Sequence, residues 1–177
     1  MASTLTVDTI VGATTAANVK LPIGAVLQTQ TFQGYNGDGT HSNQTVSSTT
    51  YGATAIAVPI TPKYSSSKIL VTFHCQGFYQ NGTVGNAVKM ALYKSVAGGS
   101  FSGVSGLPSG QLSTHIAYMN HANSSSLHQS SFQHLDSPAT TSALIYKIYI
   151  AMKTSGYARL IANGDDAFSI TAQEISQ

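Results

Sequence analysis

The chain has 177 residues, a mass of 18.4 kDa, a net charge of +2 and only 8% charged residues, against 42% hydrophobic ones. A typical soluble domain carries about 25% charge, so this surface must be wetted by hydroxyls, amides and backbone. The arithmetic excludes nucleic-acid binding through a basic stripe, disorder by composition, and a membrane-spanning helix, which needs about 20 consecutive apolar residues.

In chain order, residues 1–22 stand apart. Leu5, Val7 and Ile10 alternate briefly, followed by Gly12, Ala16-Ala17, Val19 and Pro22. The segment is too short and too rich in small residues to hold a core, yet too apolar for a solvated tail. It reads as an arm that orders against a partner, the plain alternative being a frayed edge strand. The opening Met1-Ala-Ser-Thr-Leu-Thr-Val-Asp8 has neither the basic region nor the apolar run of a secretory signal, so folding in a cytoplasm is expected.

Residues 23–177 are expected to form one head domain, and strict alternation dominates it. Gly24 to Phe32 is a weak strand candidate. Ile56, Val58 and Ile60 share a face that ends at Pro59 and Pro62. Lys68 to Tyr79 sets Ile69, Val71, Phe73, Cys75 and Tyr79 against Thr72, His74 and Gln76. Val88, Met90 and Leu92 form another apolar face. Leu112 to His121 and His128 to Leu135 are weaker candidates. Ala143 to Lys153 places Leu144, Tyr146, Ile148, Ile150 and Met152 together, with Lys147 and Lys153 opposite. Ala158 to Ala162 and the Phe168, Ile170, Ala172 face close the series. Turn signals intervene at Tyr35-Asn-Gly-Asp-Gly-Thr40, Pro62 to Ser67, Asn81-Gly82, Gly98-Gly99 and Asn123 to Ser126, with a hairpin expected at Asn163-Gly164. Phe101 to Gly110 reads as a surface loop. Eight or nine short strands with frequent turns indicate an all-β fold, an antiparallel jelly-roll sandwich.

Reactive groups are scarce. The acids are Asp8, Asp38, Asp136, Asp165, Asp166 and Glu174. Asp165 and Asp166 are adjacent and would point to opposite faces of a strand. There is no G-x-S-x-G elbow, no phosphate loop and no complete G-x-G-x-x-G, because the Gly37-Asp-Gly39 start meets Ser42. The single cysteine, Cys75, lies on an apolar strand face, where a buried inert thiol is expected. No catalytic residue, resident metal or cofactor is assigned. The sequons at Asn43, Asn81 and Asn123 read as accidental without a signal peptide, and the nine tyrosines mostly as core and interface filling.

The histidines are the one unusual constellation. His115 and His121 are six apart, as are His128 and His134, so each pair keeps one face of its strand. A hairpin turning at Ser124-Ser125 would pair residues whose numbers sum to 249, bringing His121 against His128 and His115 against His134. Such a patch would suit a ligand or metal and would titrate near neutrality. The alternative is a polar face held by hydroxyl and water contacts.

Ser3 to Ile10, Gly12, Thr14-Thr-Ala and Val19 to Gly24 resemble the N-termini of fibre-like structural proteins of marine tailed phages, of the cyanophage and pelagiphage type. Ile60-Thr-Pro62, Ser65 to Val71, Leu135 to Pro138, Thr141-Ser-Ala and Ile170 to Ile175 resemble the jelly-roll body of the same family. The resemblance implies a non-enzymatic virion protein made in the host cytoplasm, a homotrimer with a head like the C1q and tumour-necrosis-factor jelly rolls. Its arm residues Leu5, Val7, Ile10 and Val19 would attach it to other virion proteins. The head is expected to face a host glycan or protein as part of a tail fibre. The alternatives are a capsid-decorating or neck and tail assembly role, or a lectin-like or C1q-like binding module. Neither nucleic acid nor membrane insertion is expected.

Overall fold

The computed structural model describes residues 22–81, 87–104, 111–118, 126–153, 156–161 and 165–177. Their regular elements are strands: β1 (Val26–Tyr35), β2 (Gln44–Val46), β3 (Gly52–Ile60), β4 (Lys68–Asn81), β5 (Ala87–Val96), β6 (Ser102–Gly103), β7 (Gln111–Tyr118), β8 (Ser126–Asp136), β9 (Leu144–Met152), β10 (Tyr157–Leu160) and β11 (Ala167–Ile175).

The long strands form two antiparallel sheets. One runs β1–β11–β4–β8 and the other β3–β9–β5–β7, with β10 and β2 extending the first and β6 pairing with β5 in the second. β3, β4 and β5 alternate between the sheets, as do β7, β8 and β9, while β5, β6 and β7 stay in one sheet; the two antiparallel sheets make the jelly-roll sandwich expected from the sequence. The alternating faces supply the core. Ile69, Val71, Phe73 and Cys75 of β4 and Phe168, Ile170 and Ala172 of β11 meet Ile56, Val58 and Ile60 of β3, Val88, Met90 and Leu92 of β5, and the inward residues of β9. Each buried Ile or Leu contributes roughly 1.5–3 kcal/mol, so the core needs no cross-link. Pro59 sits within β3 rather than ending it. β3 is an edge strand, where a missing N–H costs no ladder bond.

Three expectations about pairing fail. First, β7 and β8 do not form a hairpin. β7 pairs with β5 and β8 with β4, in different sheets, so the 249 register is absent. Each strand instead completes the free side of a long, strongly alternating neighbour. Second, β10 and β11 are not a hairpin either. Both run antiparallel to β4, at Phe78–Asn81 and Lys68–Cys75 respectively, and follow one another along its same edge. Third, the alternation of β4 breaks. The β4–β8 register shifts between Cys75 and Phe78, a bulge that contains Gly77. A Cβ at Gly77 would run into the Asp166 carboxylate, so the close approach requires glycine.

The chain enters the head beside its C-terminus. Gly24 adopts φ +88°. Its N–H donates to the Ser176 carbonyl at 3.0 Å, and the Ser176 hydroxyl donates to the Pro22 carbonyl at 2.5 Å. The fully buried Glu174 accepts from Gln28 Nε2 at 2.6 Å and from the backbone N–H groups of Lys63 and Tyr64 at 2.8 and 3.2 Å, tying β1 and the β3–β4 turn to β11.

Candidate functional site

Two outer faces remain once the core is closed, and their chemistry differs. On the β1–β11–β4–β8 sheet the register lays out three rows: Thr29, Gln173, Leu70, Leu135; then Thr31, Thr171, Thr72, Gln133; then Gln33, Ser169, His74, Ser131. Among these twelve positions His74 is the one ionisable side chain. The β1–β11 half is bonded internally, through Thr31 to Thr171 at 3.0 Å and Gln173 to Thr29 at 3.4 Å. At the β4–β8 half a shallow cavity of about 330 Å³ is lined by Thr72, Phe73, Ser131, Phe132 and Gln133. Phe73 and Phe132 pack ring to ring, their centroids 5.5 Å apart.

The outer face of the β3–β9–β5 sheet is apolar and aromatic. β3 turns Ala53, Ala55 and Pro59 to solvent, where an exposed antiparallel face usually carries polar residues. Beside them Tyr93 and Tyr149 stack with centroids 4.1 Å apart, flanked by Tyr51 and Phe101. Lys89 lies over Tyr51 and Lys147 over Phe101, at 5.2 and 4.9 Å. Burial and then the neighbouring Tyr93 push the Tyr51 hydroxyl up to about 12, and the same two causes raise Tyr149.

Asp136, Asp38 and Cys75 serve structure. Asp136 is buried at 1% exposure. Its Oδ2 accepts from Lys94 Nζ at 2.6 Å and from Tyr146 Oη at 2.7 Å, joining β8 to β5 and β9 across the sandwich. Burial, then the Asp136 charge, holds the Tyr146 hydroxyl far above its ordinary range, so it stays a donor. Asp38 closes the turn after β1. It accepts from the backbone N–H groups of Thr40 and His41 at 2.8 and 2.7 Å and contacts the His41 ring at 2.5 Å. Desolvation opposes ionisation there, but the bonds from the His41 ring and from the His41, Thr40 and Tyr35 N–H groups prevail, and Asp38 lies well below the usual carboxylate range. The His41 ring packs edge-on against Phe32 and Phe168. Cys75 is fully buried as expected, and that burial raises its thiol.

The sequence-derived histidine patch is not brought together by strand pairing. His115 lies in β7, in the second sheet. His128 and His134 lie in β8, opposite Phe78 and Val71, in the first. The His134 Nε2 atom is buried with no hydrogen-bond partner. His121 and the arm residues Leu5, Val7, Ile10 and Val19 fall outside the described residues. Among the described residues no three His, Cys, Asp or Glu side chains gather as a metal site would need. The cavity residues Thr72, Ser131 and Gln133 were missed. Thr72 was visible as an outward position of its strand, but Ser131 and Gln133 reach it only through the β4–β8 pairing.

Fold and surface together define an antiparallel jelly-roll domain with one outer face of uncharged polar rows and a second, aromatic one that carries Lys89 and Lys147. No family model and no curated protein matches the chain. Three solved structures from infectious bursal disease virus are similar in shape. They are a VP2 subviral particle (TM-score 0.48, 8% identity, 83% of this chain and 33% of that one), the Gx strain (0.44, 10%, 86% and 38%) and a VP2 point mutant in derived T=1 particles (0.41, 7%, 86% and 41%). The chain thus spans only 33–41% of the length of these structures, and the likeness carries no function to it.

Proposed function

We propose that the chain is a non-enzymatic structural protein of a virion, a fibre-like appendage of a tailed phage held by residues 1–22 and exposing its jelly-roll head. The observation that carries this reading is the pairing of a jelly roll with an outer face, that of β1–β11–β4–β8, whose three described rows hold no fixed charge. Uncharged faces bury between copies or against neighbours at far lower cost than ionised ones, and association through them tolerates salt. The family resemblance of the N-terminal segment supports the arm. The geometry at Pro22, Gly24 and Ser176 supports a fixed point of departure for it beside the C-terminus. The alanine, proline and tyrosine face of the β3–β9–β5 sheet supports closed self-association into a homotrimer. A non-catalytic role is supported by the structural ties that occupy Asp38, Asp136 and Glu174 and by the burial of Cys75.

The test is incorporation. Full-length chain and a chain lacking residues 1–21 are supplied in an infected host, and purified particles are analysed by mass spectrometry. The full chain should be found in particles. The shortened chain, which keeps the Pro22 contacts, should melt like the full one yet be missing from particles. Normal incorporation of the shortened chain would defeat the arm, and absence of both would defeat the virion role.

A further inference from the structure

We propose that the β4–β8 end of the uncharged outer face is a binding site for a neutral saccharide, built by Thr72, Ser131 and Gln133 around the cavity that Phe73 and Phe132 also line. The proposal rests on the reading of the head as the exposed part of the protein. The placement follows from a difference along one row. At the β1–β11 end the hydroxyls bond to each other, as Thr31 and Thr171 do at 3.0 Å. At the β4–β8 end the side chains of Thr72, Ser131 and Gln133 bond to no other described residue, so their donors and acceptors are unspent. The cavity, about 330 Å³, lies at the lower end of the size range of small-ligand clefts, roughly 300–1,000 Å³.

The ligand class follows from the chemistry of the lining. Hydroxyls and a carboxamide both donate and accept, as the hydroxyls of a sugar ring do, while the Phe73 and Phe132 rings lie on the core side of the same strands. The face also lacks what a charged ligand needs. The nearest fixed charge along β4 is Lys68, four residues from Thr72 and so about 13 Å away. An ionised ligand would lose water here without gaining a counter-charge. His74 shares the face next to Ser131.

The experiment uses the full chain and a panel of neutral linear oligosaccharides, namely glucans, mannans, galactans and N-acetylglucosamine oligomers, with alginate oligomers as the charged control. Binding is followed by calorimetry and by amide shifts. At least one neutral oligomer should bind and shift the amides of Thr72, Ser131 and Gln133. Its affinity should be unchanged in about 1 M salt, since no ion pair is made. Thr72→Val with Ser131→Ala and Gln133→Ala should weaken it about tenfold or more, while Ala55→Thr on the opposite sheet should not. The amide shifts of the unaltered chain decide the matter even if the triple variant folds poorly. Failure of every neutral oligomer to bind, shifts confined to another surface, or a preference for alginate that salt abolishes would each overturn the proposal. None of these outcomes bears on particle incorporation, so the virion reading stands or falls separately.

Discussion

Among the described residues, Asp136 joins β8, β5 and β9 by charge inside the sandwich. Its Oδ2 holds Lys94 Nζ at 2.6 Å and Tyr146 Oη at 2.7 Å, in a site where Asp136 is 1% and Tyr146 0% exposed and the Lys94 side chain 14%. Asp136→Ala would leave an ammonium and a phenol with little water and no acceptor. Removing one partner of a buried pair costs about 3–5 kcal/mol. For a domain of this size that lowers the melting temperature by about 2–4 °C per kcal/mol, or about 6–20 °C in all. Tyr146→Phe removes one charge-assisted bond and should cost about 1.5–3 kcal/mol. Lys94→Met, Asp136→Leu and Tyr146→Phe together should recover most of the loss, because apolar replacement of a whole buried cluster is often neutral. Urea unfolding of the four proteins checks the series. An Asp136→Ala loss under about 1 kcal/mol, or a triple variant no more stable than Asp136→Ala alone, would refute the reasoning.

Gly77→Ala should destabilise by about 1–3 kcal/mol, because its Cβ would meet the Asp166 side chain, and adding Asp166→Ala should return part of that loss in thermal melts. Asp38 has a folded pKa lowered below its unfolded value, so its contribution is complete above about pH 4 and is lost as pH falls through the lower folded value. Protection of the Thr40 and His41 amides in hydrogen exchange should therefore hold down to about pH 4 and decline below it, and Asp38→Asn should remove that acid dependence. Light scattering at micromolar concentration should give about three times the 18.4 kDa chain mass, and a monomer mass would reject the trimer.

The strands were legible because burial on one face imposes a period of two, and the inward sets of β5, β9 and β11, and of β4 as far as Cys75, could be written down residue by residue. Their partners were not legible. Alternation states which side a residue faces but not which strand lies beside it, and the local choices, a Ser-Ser turn for His121 and His128 and Asn163-Gly164 for β10 and β11, lost to long-range pairing with β4 and β5. The bulge at Gly77 was hidden for the same reason, since its cause, the approach of Asp166, lies 89 positions away in the chain. The uncharged character of the surface was plain from composition. That its open hydrogen-bonding groups cluster between β4 and β8 required the register.

The central claim is that this jelly roll is a part of a virus particle. A side-chain-resolution reconstruction of particles purified from the virus proposed to carry the chain, with the protein content read by mass spectrometry, tests it most directly. The account predicts density for the β1–β11–β4–β8 and β3–β9–β5–β7 sandwich on the outside of the particle, with residues 1–21 against another virion protein. Particles that contain neither the chain's peptides nor that density would contradict it.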